Sequence, residues 1–412
     1  MRSGQQNRKG NSGALLLIPI CSAAILLLLL PAMLRTVHAS SGQADDFRWD
    51  KPEWAPPPPE PADNPMSSVK VQLGRRLFYD KRLSRDGSLS CATCHQQSHA
   101  FTDGQPAHLG VDGKLGIRNA MTLTNVAYLP SYTWANPLII SLERQMQVPL
   151  FGEHPVEMGM TGHEQQLIAA LAADPEYQPL FASAFPGSSD TITLPHIFQA
   201  IAAFERTLLS FDSPYDRYRH GQPNAISPAA RRGEALFFGE RLECYHCHDG
   251  VNFTDNFVRQ GQMIPEKGFH NTGLYNEDGH GAYKSWDHGL RDVTDNAEDE
   301  GAFRTPTLRN IAVTAPYMHD GSIATLDEVI RKHYAVKGRA ALGPNGANPL
   351  RSEFIEGFQL SDSEVRDLIA FLRSLTDEDF LRNPAFSDPF VKSQTRVETL
   401  KTGEASRHAE AH

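Results

Sequence analysis

Two five-residue stretches, CATCH at 91–95 and CYHCH at 244–248, share the pattern C-x-x-C-H and use four of the five cysteines. C-x-x-C-H is the attachment motif of c-type haem. Its two thiols sit on one turn and can bond the two vinyl groups of a porphyrin, while the adjacent imidazole binds the iron. A bare C-x-x-C would also suit a redox dithiol or half of a zinc site.

The repetition of the whole motif favours haem over zinc, because zinc sites rarely repeat with a histidine directly after the second cysteine. The sequence therefore predicts two covalently bound haems. The predicted attachment residues and iron-binding histidines are Cys91, Cys94, His95, Cys244, Cys247 and His248.

The sequence around each motif is duplicated as well. GRRLFYDKRLSRDGSLSCATCH (74–95) is echoed by GEALFFGERLECYHCH (233–248), and IAAFERTLLS (201–210) by IAFLRSLTD (369–377). The period is far longer than that of a solenoid repeat. It predicts a mainly α fold of two cytochrome c-like helical domains, each holding one covalent haem, with long ordered loops. The predicted domains are residues 66–212 and 225–378.

Three segments lie outside the predicted domains. Residues 1–39 combine an N-terminal basic region, a long apolar run and a small-residue site before Ser40, which is the layout of an export signal. The apolar run is almost long enough to span a bilayer, so an uncleaved N-terminal anchor is the alternative. Residues 40–65 form a Pro-rich arm, and residues 379–412 are expected to be a poorly ordered polar tail.

The charge limits the class of partner. The chain has a net charge of −10, and loss of residues 1–39 would remove four positive and no negative charges, leaving about −14. An acidic exported protein is a poor nucleic-acid binder. The expected location is the periplasm, with membrane contact only if the leader is retained. The negative field would attract a basic electron carrier, such as a small cytochrome c or a cupredoxin.

From about Met66 to Leu375 the chain resembles the bacterial di-haem cytochrome c peroxidases, the family that also contains MauG. The stretches that carry the resemblance are the two motifs with FTDG (101–104), RNAMTLTN (118–125), SLERQMQVPLFGEHPVEMG (141–159) and TPTLRNIAVTAPYMHDGSIATLDEV (305–329). The segments around AMTLTNVAY and EHPVEMG are most similar to the MbnH-like branch. That branch is linked to oxidation of a tryptophan on a partner protein.

The resemblance implies that H2O2 reacts at one haem and that a second haem relays electrons. In the family, the glutamate of a P-x-E-M-G-like segment moves the proton between the two peroxide oxygens, and Glu157 matches it. Gln145 and Pro149 match the other positions of the peroxide pocket. Trp134 matches the tryptophan that lies between the two haems.

Several positions stay open within this resemblance. Two extra residues separate Pro149 from Glu157 relative to the commoner spacing, so Glu153 and His154 are alternatives to Glu157. His108 lies near the position of a movable histidine that closes the peroxide-site iron in many family members, although MauG-like members lack this ligand and a solvent-facing loop histidine is the default interpretation. At the far side of the second haem the peroxidases use Met and MauG uses Tyr. Here that position falls on His333 or Tyr334.

The family also carries a Ca²⁺ ion bound by an asparagine side chain and two backbone carbonyls, a set of hard oxygen ligands. Asn119, Thr314 and Pro316 match these positions. The alternative is that both segments are packing turns without an ion.

These features predict a periplasmic di-haem peroxidase of the cytochrome c peroxidase or MauG type. One alternative is MauG-like or MbnH-like oxidation of a tryptophan on a partner protein, in place of electron uptake from a small donor protein. A further alternative is a non-enzymatic electron-transfer cytochrome. That alternative gives no reason for Gln145, Pro149 and Glu157 to accompany Trp134.

Overall fold

The computed structural model describes residues 47–391. The predicted signal peptide or anchor, the start of the arm and the end of the tail lie outside these residues. The helices of the described part are α1 (Ser68–Phe78), α2 (Cys91–Cys94), α3 (Leu142–Gln145), α4 (Gln147–Phe151), α5 (Glu164–Ala172), α6 (Tyr177–Ala184), α7 (Leu194–Arg206), α8 (Pro214–Arg219), α9 (Pro228–Phe237), α10 (Arg291–Thr294), α11 (Leu326–Lys332) and α12 (Asp362–Arg373).

Strands contribute little to the architecture. Within residues 47–391, one two-stranded antiparallel sheet pairs β1 (Phe269–Asn271) with β2 (Ala302–Arg304), with Phe269 opposite Arg304. Long loops and short 3₁₀ turns connect the helices. The mainly α prediction is therefore confirmed. None of the helices in the described residues is long and apolar enough to cross a bilayer.

Local sequence signals set the ends of the longer helices. The Ser67 side chain accepts a hydrogen bond from the Lys70 N–H at 3.2 Å and begins α1. At α12, the Ser361 Oγ accepts from the Glu364 N–H, and the Glu364 carboxylate accepts from the Ser361 N–H at 2.8 Å. This reciprocal pair is a capping box of the pattern S-x-x-E at 361–364, and it satisfies two backbone donors that have no partner within the helix.

The two sequence repeats form the same helix crossing. At the crossing of α1 and α7, a Cβ on Gly74 would lie 1.8 Å from the Ala200 carbonyl oxygen. At the crossing of α9 and α12, a Cβ on Gly233 would lie 2.0 Å from the Asp367 carbonyl oxygen. In each pair, glycine allows the helix backbones to touch. The duplication read from the sequence is thus present as two equivalent backbone contacts.

Replacing either Gly74 or Gly233 by alanine is expected to lower the free energy of unfolding by about 3 kcal/mol, the upper end for overpacking, because the new methyl group meets backbone and not a movable side chain. Urea unfolding of the haem-loaded protein measures the change. Ala235→Ser, at an exposed position of α9, is the control and should change stability by less than about 0.5 kcal/mol. Wild-type stability of both glycine variants would contradict the close crossings.

Each crossing carries its own hydrophobic cluster. The first cluster contains Leu73, Leu77, Phe78 and Phe204, while the second contains Phe371 among residues of α9 and α12. Both helix pairs bury apolar side chains that recur at helical spacing. This burial is the main favourable contribution to the stability of each pair. The domain boundaries at 66–212 and 225–378 stay a prediction.

The described part of the Pro-rich arm lies on the folded chain. Trp54 stacks on His220 with ring centroids 4.2 Å apart and meets Phe211 edge to face. The Tyr128 hydroxyl donates a hydrogen bond to the Pro56 carbonyl at 2.6 Å. These contacts tie the described part of the arm to the first repeat and to the linker that follows it.

The expectation of a poorly ordered tail from residue 379 is wrong for residues 379–391. Phe380 and Phe386 are buried in the first hydrophobic cluster, and the Tyr79 hydroxyl donates to the Phe386 carbonyl at 2.7 Å. Burial of two aromatic rings outweighs the polar composition between them. The segment has no helical or strand period, so the sequence pattern gave no sign of this docking.

Candidate active site

The first C-x-x-C-H motif occupies a single turn of helix. Cys91 and Cys94 begin and end α2, and the Ser90 N–H donates to the Thr93 hydroxyl at 2.9 Å to close the turn. His95 follows the turn, with its Nδ1 2.8 Å from the Phe101 carbonyl oxygen. Because a carbonyl only accepts, Nδ1 carries the proton, and Nε2 is the nitrogen available to a metal.

The second motif repeats this arrangement. Cys244 begins a 3₁₀ turn, and the His248 Nδ1 lies 3.0 Å from the Phe253 carbonyl oxygen. Burial lowers the pKa of both His95 and His248, which favours the neutral imidazole that metal binding requires. The backbone therefore fixes the same tautomer at both motifs.

The four motif thiols form no disulfide among the described residues. Burial raises the pKa of the Cys94 and Cys244 thiols to about 12, so both are protonated at neutral pH. Such thiols are poorly suited to redox exchange, which needs a thiolate. Two thiols beside a histidine with a free Nε2 fit a c-type haem at each motif.

A cavity of about 440 Å³ opens beside the first motif. The predicted site residues that line it are Cys91, Cys94, His95, His108, Asn119, Trp134, Gln145, Pro149, His154 and Glu157. The fold therefore gathers the residues that the resemblance assigns to the peroxide site around one space. Glu153 does not line this cavity and is exposed.

Glu157 is held against the loop that follows His108. The Val111 N–H donates to the Glu157 carbonyl at 2.9 Å, and the Met158 N–H donates to the Pro149 carbonyl at 2.9 Å. Burial raises the pKa of the Glu157 carboxyl, and the nearby His108 partly opposes the rise. A partly buried carboxyl with a raised pKa suits acid–base work near neutral pH.

His108 lines the same cavity and bonds to a carboxylate. Its Nδ1 lies 3.2 Å from the Asp103 Oδ2, which leaves Nε2 as the free ring nitrogen. Hydrogen bonds from His108 and from the Gln105 N–H lower the pKa of Asp103 against the effect of its burial. Binding of His108 to iron stays a prediction.

Trp134 is fixed by segments from both sequence repeats. Its indole Nε1–H donates to the Asn119 carbonyl at 2.8 Å. The Arg304 N–H donates to the Trp134 carbonyl at 2.7 Å, and the Arg304 Nε–H donates to the Thr133 carbonyl at 3.0 Å. Arg304 lies on β2, so the second half fixes the backbone of Trp134, while the indole bonds to the first half and lines its cavity.

Tyr334 lies near the second thiol pair. Burial raises the pKa of its hydroxyl, and the Cys247 and Cys244 thiols raise it further. His333 is fully buried, and its Nδ1 accepts a hydrogen bond from the Arg339 N–H at 3.0 Å. Its Nε2 has no hydrogen-bond partner among residues 47–391. Both side chains remain candidates for the far side of a second haem.

The three predicted calcium residues lie in two segments that contact each other. The Asn119 N–H donates to the His319 carbonyl at 2.7 Å, which joins its segment to the loop containing Thr314 and Pro316. The Asn119 Nδ2 donates to the Gln105 carbonyl at 2.6 Å and so orients its side-chain oxygen as the end available to a cation. These residues fit a Ca²⁺ ion, and the ion itself stays a prediction.

The comparisons with known proteins agree with this geometry. A family profile described as di-haem cytochrome c peroxidase matches residues 68–224. Methylamine utilization protein MauG of Methylorubrum extorquens is 36% identical over 349 residues, which cover 83% of this chain and 88% of that protein. Cytochrome c551 peroxidase of Pseudomonas aeruginosa is 30% identical over 333 residues, covering 81% of this chain and 85% of the relative.

The chain belongs to the di-haem cytochrome c peroxidase and MauG family. As a member of this family it is a peroxidase, an oxidoreductase with two haems that uses H2O2 together with a protein partner or protein substrate. The family, the fold class and the peroxidase activity predicted from the sequence are thereby confirmed.

Two solved structures are similar to this peroxidase. A MauG-like protein associated with microbial copper homeostasis has a TM-score of 0.81 and 49% identity, covering 84% of this chain and 99% of that chain. The di-haem peroxidase BthA of Burkholderia thailandensis has a TM-score of 0.57 at 23% identity, which supports the fold alone.

The sequence alone did not identify some residues that lie near the two motifs. Glu205 lines the first cavity as a buried carboxyl, and Arg304 positions Trp134. Asp255 and His270 form an ion pair of 2.6 Å close to Cys247. Glu205 lies in IAAFERTLLS, where the helical period marks it as next to the core. Asp255 and His270 have no such signal, because a loop and a strand bring them together.

Proposed function

We propose that this protein is an exported peroxidase of the MauG type, which uses H2O2 to oxidise a side chain of a partner protein in the periplasm. The observation that carries the proposal is the tyrosine beside the second thiol pair. Tyr334 lies near Cys244 and Cys247, where peroxidases of the resembling family that take electrons from small proteins have methionine. Tyrosinate and methionine ligands set very different haem potentials.

The two methionines of the second half, Met263 and Met318, are poorly placed to bind an iron. Met263 is 95% exposed, on a loop. Met318 packs against the apolar cluster that contains Tyr283, Phe303 and Tyr317. An exposed side chain cannot serve as a buried axial ligand, and Met318 is held by its own packing. These two positions support Tyr334 over a methionine at this site.

The cysteines and histidines of the motifs would hold two covalent haems, and Asn119, Thr314 and Pro316 would hold Ca²⁺. When bound, the haem at the first motif supplies the redox chemistry that splits the O–O bond. Glu157 takes the proton from the near oxygen of H2O2 and delivers it to the far oxygen.

The other residues of the site position the peroxide and assist electron transfer. Gln145 and Pro149 line the cavity beside Glu157, orient the peroxide and limit water. Trp134, fixed between the two repeats, shortens the path for electrons between the two sites. The partner's own side chain is the source of those electrons.

A second candidate function is peroxide removal with electrons from a small cytochrome c or cupredoxin. The similarity to cytochrome c551 peroxidase favours it, as does the negative charge of the chain. The similarity to the MauG-like protein of copper homeostasis favours the first candidate and suggests a partner in copper handling. A plain electron carrier would leave the cavity and its buried carboxyl without a role.

The experiment mixes the fully oxidised, haem-loaded protein with one equivalent of H2O2 in a stopped-flow spectrometer, without any donor. We expect immediate consumption of peroxide and a spectral change that persists until a reductant is added. The control is the same protein reduced by one electron beforehand. If only the pre-reduced sample consumes peroxide, the donor-dependent peroxidase is correct and the proposal is not.

A further inference from the structure

Glu205 is a buried carboxyl in the first cavity that the proposed reaction does not use. It lies in the last turn of α7, is 5% exposed, and lines the cavity together with Cys91 and Ile201. Its Oε2 has no hydrogen-bond partner among residues 47–391. A buried carboxylate without partners is costly, so such a group keeps its proton.

The cation next to Glu205 is Arg206, which bonds to another carboxylate through one nitrogen, while its Nη1 has no hydrogen-bond partner among residues 47–391. The Arg206 guanidinium forms an ion pair with Glu143 at 2.9 Å, and the Asn64 amide donates to the same carboxylate at 2.7 Å. Arg206 therefore offsets only part of the desolvation of Glu205, and the negative charge of Glu143 acts against ionisation. Burial raises the pKa of the Glu205 carboxyl to about 8 under these influences.

The remaining titratable groups near Glu205 do not supply a positive charge. The Cys91 thiol faces it from α2, and burial raises the pKa of that thiol. The Tyr132 hydroxyl faces it from a loop, and burial raises the pKa of that hydroxyl to about 12. Both groups are neutral at pH 7. Among the groups that line this cavity, the carboxyls of Glu205 and Glu157 can therefore compensate a positive charge by losing a proton, and Glu157 is already assigned to the peroxide reaction.

We propose that Glu205 is a proton-coupled residue of the first site, which releases its proton when the haem held by Cys91, Cys94 and His95 is oxidised and takes it back on reduction. The proposal rests on haem attachment at the first motif, which is part of the proposed function. Removal of one electron leaves one additional positive charge at the iron, and loss of one proton from Glu205 leaves one negative charge beside it.

The direction of the pH effect follows from this coupling. Reduction favours protonated Glu205, so the reduction potential of the first haem should fall as pH rises from the pKa of Glu205 in the oxidised protein to its higher pKa in the reduced protein, a range near the value of about 8 that burial sets. Well below this range both redox states hold the proton, and the potential should not depend on Glu205. Glutamine resembles the protonated carboxyl in shape and charge.

The test compares the wild type with Glu205→Gln by spectroelectrochemical titration of the haem-loaded protein between pH 6 and pH 10. The two potentials should agree at pH 6 and diverge above pH 8, with the glutamine variant staying higher. Glu298→Gln, at an exposed carboxyl that does not line the first cavity, is the control and should follow the wild type throughout. Equal pH dependence in wild type and Glu205→Gln would overturn the proposal.

Infrared difference spectra between the oxidised and reduced protein give a second readout that needs no enzyme activity. The wild type at pH 8 should show a carboxylic acid band that changes with redox state and shifts in D2O, and Glu205→Gln should lack it. Persistence of the band in the variant would assign the proton to another group and contradict the proposal. Haem absorbance of every sample distinguishes these outcomes from a failure of haem attachment.

Discussion

Replacement of Glu157 by glutamine is expected to slow the reaction with H2O2 by about 100-fold or more, the usual contribution of a positioned acid–base group. Glutamine keeps the size of the side chain but cannot carry the proton between the two peroxide oxygens. Stopped-flow rates of the oxidised protein with increasing H2O2 measure the effect. The pH dependence of the wild-type rate should report an acid whose pKa burial has raised.

Glu153→Gln is the matched control for this variant, since it makes the same change four residues earlier in the same loop. Glu153 is exposed and outside the cavity, so its rate should remain that of the wild type. Unchanged kinetics in Glu157→Gln, or a comparable loss in Glu153→Gln, would remove Glu157 from its assigned role.

Under the proposal that Tyr334 binds the second haem iron, Tyr334→Phe is expected to lower the rate of partner oxidation by at least about 100-fold, because loss of an iron ligand exceeds the 10- to 100-fold cost of losing its supporting hydrogen bonds. Consumption of the first equivalent of H2O2 should slow much less, since the cavity of the first motif does not contain Tyr334. The absorption spectrum of the second haem should change at the same time. Stopped-flow and spectral titration measure both effects.

His333→Gln separates the two candidates for this position. His333 is buried, and its Nδ1 accepts a hydrogen bond from the Arg339 N–H. The variant therefore removes the imidazole next to Tyr334 and leaves Tyr334 itself unchanged. We expect a loss of stability with the spectrum of the second haem preserved. If His333→Gln changes that spectrum and Tyr334→Phe does not, histidine is the ligand and the case for MauG-type chemistry loses its main support.

The sequence predicted the features that depend on residues close together in the chain. The C-x-x-C-H motifs, the helical period around Leu73 and Leu77, and the Ser361–Glu364 capping box each depend on residues within a few positions of one another. The duplication also predicted that Gly74 and Gly233 have the same place in the fold. Both glycines make the same backbone contact.

Features that depend on distant segments were beyond the sequence pattern. Arg304 reaches Trp134 across a loop and a strand, and the Asp255–His270 pair forms only when β1 is in place. The docking of Phe386 into the first cluster joins residues separated by most of the chain. No period or spacing records such contacts, because each is set by how the two halves fold. Resemblance to a known family supplied the peroxide-site residues for the same reason.

The docking of residues 379–391 has a consequence for the biogenesis of the protein. Two aromatic rings of the first hydrophobic cluster come from the C-terminal end of the described chain, so synthesis delivers them last. Folding from the N-terminus during synthesis, which is usual for multidomain chains, cannot complete that half early. The first half therefore cannot close around its motif until nearly the whole polypeptide has been synthesised, so both motifs become fully enclosed at the same late stage.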